Sequence, residues 1–181
     1  MTDEPEQDES RPDRPKRLLL MRHAKSDWGD AGLTDHQRPL NKRGRRDAPA
    51  MGQWLVENDC CPTRILCSSA VRTRETFDRL QPQLEAKPDV FYSDLLYGAT
   101  AETLARVVRR EGDNATSLMV IAHNPGISEL VSCLAGEYIG MSTAAIAVFE
   151  SPVDSWDDFK FDKHCVPMKM IQFMRPKELS V

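Results

Sequence analysis

The chain has 181 residues, of which 40% are apolar and 29% are charged, and its formal charge at pH 7 is −4. This length and composition predict one soluble globular domain with a buried core. The weak negative charge argues against a nucleic-acid partner, because nucleic-acid binding usually requires a basic surface. No apolar run approaches the ~20 residues of a membrane helix, so we expect no membrane association.

The first 15 residues differ in composition from the rest of the chain. They are rich in acids, contain Pro5, Pro12 and Pro15, and have no large aliphatic side chain except Met1. This composition predicts a disordered acidic tail at 1–15, followed by a folded domain.

The domain is expected to span 16–181 in a cytoplasmic protein. The acidic start of the chain lacks the apolar run of a secretory signal. The five cysteines have an odd count and no regular spacing, which is typical of reduced thiols in a reducing compartment.

Apolar runs and helical patterns alternate along the chain from residue 17 onward. In chain order, the expected elements are a strand at 18–21, a helix at 42–58, a strand at 63–67, a helix at 70–85, a strand at 90–92, a helix at 100–110, a strand at 117–122 and a helix after 126. Two β-rich runs at 144–149 and 168–173 follow without a full helix between them. The order predicts a single-domain three-layer α/β/α fold, with a mostly parallel sheet and an antiparallel edge strand.

Arginine and histidine side chains follow three of the predicted strands. Arg22 and His23 follow the first strand, Arg72 lies just beyond the second, and His123 follows the strand at 117–122. In a parallel sheet, ligands bind beyond the carboxyl ends of the strands. A lone histidine at such a place is more often structural, but the four residues together predict a site at this edge.

These residue types suit a phosphoryl group. Arginine forks bind phosphoryl oxygens bidentately, and the helices expected to start near 69–70 and 125 add backbone N–H donors. A neutral imidazole can attack phosphorus and carry the phosphoryl group covalently. A second histidine with a pKa near neutrality can be protonated and stabilise the same oxygens.

Three motifs resemble the signatures of a known family. The segments 20–24 (LMRHA), 68–76 (SSAVRTRET) and 122–125 (AHNP) are similar to the motifs of the histidine phosphatase superfamily, which has the phosphoglycerate mutase-like fold. The short length and the segment 38–44 (RPLNKRG) resemble the small SixA subgroup of phosphohistidine phosphatases. The resemblance covers about residues 17–175. Ala24 departs from the glycine that is common after the histidine.

The resemblance implies roles for five residues. His23 is expected to be the nucleophile, with Arg22, Arg72 and His123 forming the phosphate pocket of a metal-independent hydrolase without a cofactor. Arg38 is expected to contact the phosphate or the substrate, or else to form a surface ion pair with Asp35.

A general acid is the part of the expected site that has no clear equivalent. Larger members of the superfamily place a glutamate after the third strand to protonate the leaving group, whereas the corresponding stretch here contains Asp94. Asp94 is either a substrate-binding acid or a loop and capping residue. A phosphohistidine loses its imidazole more readily than an ester loses an alcohol, so a weak or absent acid favours phosphoramidate substrates.

Three functions therefore remain open from the sequence. The first is removal of a phosphoryl group through a phosphohistidine intermediate on His23, with a phosphorylated protein as substrate. The second is a general phosphomonoesterase that acts on small phosphorylated metabolites. The third is a non-catalytic phospho-binding module, which the intact set of arginines and histidines disfavours. The sequence gives no oligomeric state.

Overall fold

Six strands form one sheet. The structure is a computed structural model that describes residues 15–161 and 167–179. The strands are β1 (Arg17–Arg22), β2 (Arg64–Ser68), β3 (Asp89–Ser93), β4 (Ser117–Ala122), β5 (Ile146–Glu150) and β6 (Lys169–Met174). Their spatial order is β3-β2-β4-β1-β5-β6. The first four strands are parallel to one another, and β5 is antiparallel to both β1 and β6. The predicted mostly parallel sheet with an antiparallel edge strand is confirmed, since the edge strand β6 pairs antiparallel with β5, which is itself antiparallel to β1.

Helices cover both faces of this sheet. They are α1 (Lys42–Glu57), α2 (Val71–Leu80), α3 (Ala101–Glu111) and α4 (Gly126–Ala135). Alternate residues of β1 point to opposite faces, so Leu18 and Leu20 pack with α3 and α4, while Leu19 and Met21 pack with α1 and α2. The two apolar clusters on either side of the sheet confirm the three-layer architecture.

Two helices begin at residues whose side chains cap them. The Asn41 side chain accepts a hydrogen bond from the Gly44 N–H at 2.9 Å at the start of α1. The Thr100 hydroxyl accepts one from the Thr103 N–H at 3.2 Å at the start of α3. Each cap satisfies one of the N–H groups that a helix leaves without an internal partner.

Two element boundaries differ from the expectation. The helix expected at 70–85 ends at Leu80 and gives way to a short 3-10 turn at Gln81–Gln83. Pro82 lies in this turn, and its lack of an N–H disfavours a longer helix. The strand expected at 144–149 begins at residue 146, because Ala144 has a left-handed φ of 61° that does not fit a strand.

The remaining expectations concern the N-terminal tail, the domain boundaries, membrane spans and the cysteines. The predicted tail at 1–15 lies outside the described residues except for Pro15, and the domain boundaries at 16–181 stay a prediction. In the described part of the chain, no helix combines the length and apolar character needed to cross a bilayer. Four cysteines are free thiols there, namely Cys60, Cys61, Cys67 and Cys133.

Candidate active site

The carboxyl ends of three neighbouring strands meet at one pocket. Arg22 ends β1, Ser68 ends β2, and His123 follows β4, which lies between those two strands. The pocket has a volume of about 300 Å³. Its lining residues are Arg22, His23, Lys25, Ser26, Trp28, Asp35, Arg38, Arg72, His123, Asn124 and Thr143. Of the six residues that the sequence predicts for the site, all but Asp94 are in this lining.

The imidazole of His23 is held in one tautomer. Its Nδ1 lies 2.7 Å from the backbone carbonyl oxygen of Ala24, which can only accept a hydrogen bond. Nδ1 therefore carries the proton, and Nε2 keeps its lone pair. The Nε–H of Arg72 approaches Nε2 at 3.4 Å. His23 is thus neutral, oriented and 7% exposed, as a nucleophile requires.

The backbone of His23 is held on two sides. Its N–H donates to the carbonyl oxygen of Ala122 at 3.1 Å, which joins the ends of β1 and β4. The N–H of Ala144 donates to the carbonyl oxygens of Arg22 at 3.0 Å and His23 at 3.1 Å. These contacts fix the backbone position from which the ring extends.

Burial and the charges around His23 keep the imidazole neutral. Burial first, and then the nearby Arg72, Arg22 and Arg38 guanidinium groups, lower the pKa of His23 to about 3, against the hydrogen bond to Ala24. At neutral pH the ring is therefore ready to attack an electrophile without first losing a proton.

His123 lies beside His23, with 5.1 Å between the ring centroids. Its Nε2 is 2.8 Å from the Ser68 hydroxyl oxygen. Its buried Nδ1 has no hydrogen-bond partner among the described residues. Burying a polar atom without a hydrogen-bond partner costs free energy. A phosphoryl oxygen bound in the pocket would be a suitable partner for this Nδ1.

The protonation of His123 differs from the expectation of a pKa near neutrality. Burial first, and then the neighbouring His23 and Arg72, lower the pKa of His123 to about 3. At neutral pH the pocket therefore holds two neutral histidines. A bound phosphoryl dianion favours protonation of His123, because it adds negative charge beside the ring.

Arg22 and Arg72 both line the pocket, and each guanidinium is held by backbone oxygens. Arg22 Nη1 donates to the carbonyl oxygen of Met141 at 2.9 Å, and its buried Nε has no partner in the described part of the chain. Arg72 donates from Nη1 to the backbone oxygen of Asp35 at 2.5 Å and from Nη2 to Asp35 Oδ2 at 2.9 Å.

Arg38 combines the two interpretations that the sequence leaves open. Its Nη1 forms the expected ion pair with Asp35 Oδ1 at 2.7 Å, but the arginine is 7% exposed and lines the pocket. Further bonds run to the Asp27 carbonyl oxygen at 2.7 Å and the Ser26 hydroxyl at 2.5 Å. Its guanidinium also stacks on the Trp28 ring, 3.2 Å from the centroid. The ion pair is therefore part of the pocket lining, with a buried arginine and a half-exposed aspartate.

Comparisons with known proteins agree with this geometry. A model described as the histidine phosphatase superfamily (branch 1) matches residues 18–96, which include His23, Arg38 and Arg72. The chain belongs to the histidine phosphatase superfamily. A crystal structure from Agrobacterium tumefaciens that carries the name of the phosphohistidine phosphatase SixA has a TM-score of 0.75 at 27% identity. It covers 90% of this chain and 99% of that one.

Two further matches place this histidine phosphatase among its relatives. The structure of a protein histidine phosphatase SixA complexed with tungstate has a TM-score of 0.74 at 21% identity, covering 91% of this chain and 99% of that one, which shows the fold. An uncharacterised chloroplastic protein of Arabidopsis thaliana is 36% identical over 152 residues, which are 79% of this chain and 70% of the relative. The predicted superfamily, its phosphoglycerate mutase-like fold and its SixA-type form are thereby confirmed.

Asp35 is among the lining residues whose place in the pocket the sequence does not predict. Its Oδ2 accepts a hydrogen bond from the Tyr97 hydroxyl at 2.7 Å in addition to the one from Arg72. The Tyr97 bond first, and then Arg38 and Arg72, lower the pKa of Asp35 to about 2 against its desolvation. Because Asp35 lies in a loop between β1 and α1, a search of strand ends does not find it.

Asp94 lies outside the pocket lining. It starts a short turn at Asp94–Leu96, directly after β3, and accepts a hydrogen bond from the Ser69 hydroxyl. Ser69 Oγ in turn lies 3.0 Å from His36 Nε2. β3 is the edge strand beyond β2, so Asp94 is one strand further from β1 than Ser68 is. Its role as an acid stays a prediction.

No candidate metal cluster is found in residues 15–161 and 167–179. Within these ranges, no group of three or more His, Cys, Asp or Glu side chains is arranged to hold a metal ion. What the pocket offers to a ligand is N–H donors from three arginines and from His123, beside the lone pair of His23 Nε2, which suits an oxyanion with an electrophilic centre.

Proposed function

We propose that this histidine phosphatase removes phosphoryl groups through a covalent intermediate on His23 and that its substrate is a phosphohistidine on a protein. The observation that carries the proposal is the unprotonated Nε2 of a neutral, buried imidazole next to three arginines. Neutrality makes the nitrogen nucleophilic, and the arginines neutralise the oxygens of the group that it attacks.

The reaction has two steps that share one pocket. In the first, Nε2 of His23 attacks phosphorus, and the bond from phosphorus to the substrate nitrogen breaks. The bonding electrons go to the leaving imidazole, which takes a proton from solvent. In the second, water attacks the phosphorus of phospho-His23, releases inorganic phosphate and returns the electron pair to Nε2. Arg22, Arg38, Arg72 and His123 bind the phosphoryl oxygens in both steps.

The carboxylate in the pocket supports a nitrogen-linked substrate. Asp35 is the carboxylate among the described lining residues, and its pKa of about 2 means that it holds no proton to donate at neutral pH. An alcohol leaving group benefits strongly from a general acid, whereas the imidazole of a phosphohistidine leaves more easily. The likeness to structures that carry the SixA name supports the same substrate class.

The proposal also covers the metal requirement, the partner and the cellular compartment. Catalysis needs no metal ion, since the arginines provide the positive charge that a metal supplies in other phosphatases. The partner is a phosphorylated protein or, failing that, a small phosphorylated molecule. The protein acts in the cytoplasm.

A substrate panel tests this function. Wild type and His23→Ala are compared on a phosphohistidine protein and on phosphate monoesters, with and without a chelator, by release of inorganic phosphate. We expect wild type to prefer phosphohistidine and to have the same activity with and without the chelator. We expect His23→Ala to lose nearly all turnover. Binding of tungstate or phosphate by the variant shows that its pocket is still folded.

Each other outcome points to a different function. Full turnover by His23→Ala would refute the nucleophile. Much faster cleavage of esters, abolished in Asp94→Asn, would identify a phosphomonoesterase with Asp94 as its acid. Phosphate-dependent binding of a phosphoprotein without any release would identify a binding module.

A further inference from the structure

Asp35 places a negative charge among the groups that bind the phosphoryl oxygens. Its two carboxylate oxygens contact Arg38 Nη1 at 2.7 Å, Arg72 Nη2 at 2.9 Å and the Tyr97 hydroxyl at 2.7 Å. A carboxylate beside an oxyanion site opposes the binding of the phosphoryl group itself. Its presence therefore calls for a role that concerns another part of the substrate.

The two arginines can bind a phosphoryl group without releasing Asp35. A guanidinium has five N–H groups. Arg72 uses three of them, two on Asp35 and one on His23, and Arg38 uses three on Asp27, Asp35 and Ser26. Two N–H groups on each arginine remain for phosphoryl oxygens. The Asp35 carboxylate thus stays beside the substrate after the phosphoryl group has bound.

Asp35 lies at the rim of the pocket and not at its base. Its side chain is 50% exposed, whereas His23, Arg38, Arg72 and His123 are each at most 7% exposed. The phosphoryl group must reach Nε2 of His23 at the base of the pocket. The leaving group then extends outwards, past the rim where the carboxylate lies.

We propose that Asp35 is a specificity-determining residue that selects substrates whose leaving group carries a positive charge or N–H donors, such as imidazolium, ammonium or guanidinium. This inference rests on the proposed function. Once the phosphoryl oxygens occupy the arginines, the exposed carboxylate attracts a cationic leaving group and repels an anionic one. Phosphoramidates of basic side chains fit this rule, and phosphorylated carboxylic acids do not.

Aromatic rings on the same rim support a cationic leaving group. Tyr97 donates to Asp35 and is 37% exposed, and Trp28 lines the pocket and is 74% exposed. One cation, the Arg38 guanidinium, already stacks on the Trp28 ring. Aromatic faces attract planar cations, so these rings and the carboxylate form one surface of suitable chemistry for the leaving group.

Three aryl phosphates that differ mainly in charge test the inference. They carry an aminomethyl, a methyl or a carboxymethyl group para to the phosphate, so the leaving group is cationic, neutral or anionic with similar phenol acidity. We expect wild type to show the highest kcat/KM for the cation and the lowest for the anion. In Asp35→Asn the ratio between cation and anion should fall by about tenfold, the effect of one charge at close range in a partly screened site.

Asp30→Asn is the matched control. Asp30 is an exposed aspartate of the same loop, and it accepts a hydrogen bond from the Gly32 N–H, which the amide oxygen of asparagine can still accept. This variant removes the same charge outside the pocket and should keep the wild-type ratio. A second measurement needs no variant, because the wild-type ratio should shrink as salt is raised.

The outcomes separate this inference from the proposed function. An unchanged ratio in Asp35→Asn, an equal rise of all three rates, or a wild-type enzyme without charge preference at low salt would each overturn the role of Asp35. In those cases turnover of phosphohistidine that depends on His23 would still stand. Turnover that survives in His23→Ala would instead remove the proposed function.

Discussion

One hydrogen bond decides which nitrogen of His23 can react. The carbonyl oxygen of Ala24 fixes the proton on Nδ1, at a distance of 2.7 Å, and leaves the lone pair on Nε2. The hydrogen bond between His123 Nε2 and Ser68 leaves Nδ1 of that ring available to a ligand. The two imidazoles therefore present different nitrogens to the same pocket.

The first prediction concerns the protonation of these rings. Because burial lowers the pKa of both His23 and His123 to about 3, both should stay neutral in the free enzyme between about pH 4.5 and 8. NMR titration of the ring signals, assigned with His23→Ala and His123→Ala, measures this. A midpoint near the ordinary value of about 6.5 for either ring would contradict the account.

The second prediction concerns Ser68 as a positioning residue. Ser68→Ala removes the hydroxyl that orients His123, and we expect kcat to fall roughly fivefold to tenfold, the typical worth of one buried hydrogen bond. KM should change less, because the arginines that bind the phosphoryl group are untouched. Ser69→Ala is the matched control, since Ser69 contacts Asp94 and His36 and does not line the pocket. Equal losses in both variants would show only a disturbed β2–α2 turn.

Single residues also show how far the sequence predicts the site. Arg22, Arg72 and His123 follow from one rule, that chemistry collects where parallel strands end. This rule does not predict Asp35, because Asp35 lies in the loop before α1 and not at a strand end. The loop folds back over the pocket, and no periodic pattern of apolar residues predicts that path. Asp94 obeys the rule but follows the edge strand, so the same rule places it too far from the pocket lining.

The path of that loop depends on how it joins α1. Ser26 and Leu40 form an isolated antiparallel bridge, and the N–H of Asn41 donates to the carbonyl oxygen of Lys25 at 3.0 Å. Gly44, in the first turn of α1, approaches the backbone of Lys25 so closely that a Cβ there would clash with it. The segment 38–44 therefore holds the residues after His23 in place. This contact gives a physical reason for the glycine at position 44.

The third prediction tests this contact. Gly44→Ala should destabilise the protein by about 1–3 kcal/mol, because backbone atoms cannot move aside as a flexible side chain can. It should also raise KM, since Lys25 lines the pocket. Urea unfolding and steady-state kinetics measure both effects. Gly140→Ala is the control, because its Cβ would meet nothing nearer than 3.5 Å, and a similar loss there would disprove the role of the close approach.

At the scale of the whole molecule, the fold is more predictable than the site. β4 is buried at every residue, and its continuous apolar run indicates a central parallel strand without further information. The pairing of β5 between β1 and β6 follows from the missing crossover helix. The residues at which helices and strands end are less predictable, because each end depends on the backbone conformation of a single residue. Ala144, before β5, and Pro82, after α2, are examples.

The fourth prediction links the site to global stability. His23 and His123 have pKa values of about 3 in the folded protein and about 6.5 when unfolded, so only the unfolded chain takes up their protons between these values. The free energy of unfolding should therefore fall as the pH drops from about 6.5 towards 3. Urea titrations at about pH 7 and 5 measure the slope, which should be shallower in His23→Ala. An equal slope in the variant would contradict the burial of a neutral ring.

The chemistry of His23 can be observed on the enzyme itself. A phosphohistidine protein is mixed with excess enzyme, the reaction is quenched in alkali after a short time, and the phosphorylated residue is identified by mass spectrometry and by NMR coupling between phosphorus and nitrogen. We expect one phosphoryl group on Nε2 of His23, and none in His23→Ala. A phosphoryl group on another residue or on Nδ1, or turnover without any phosphoenzyme, would show that Nε2 of His23 is not the nucleophile.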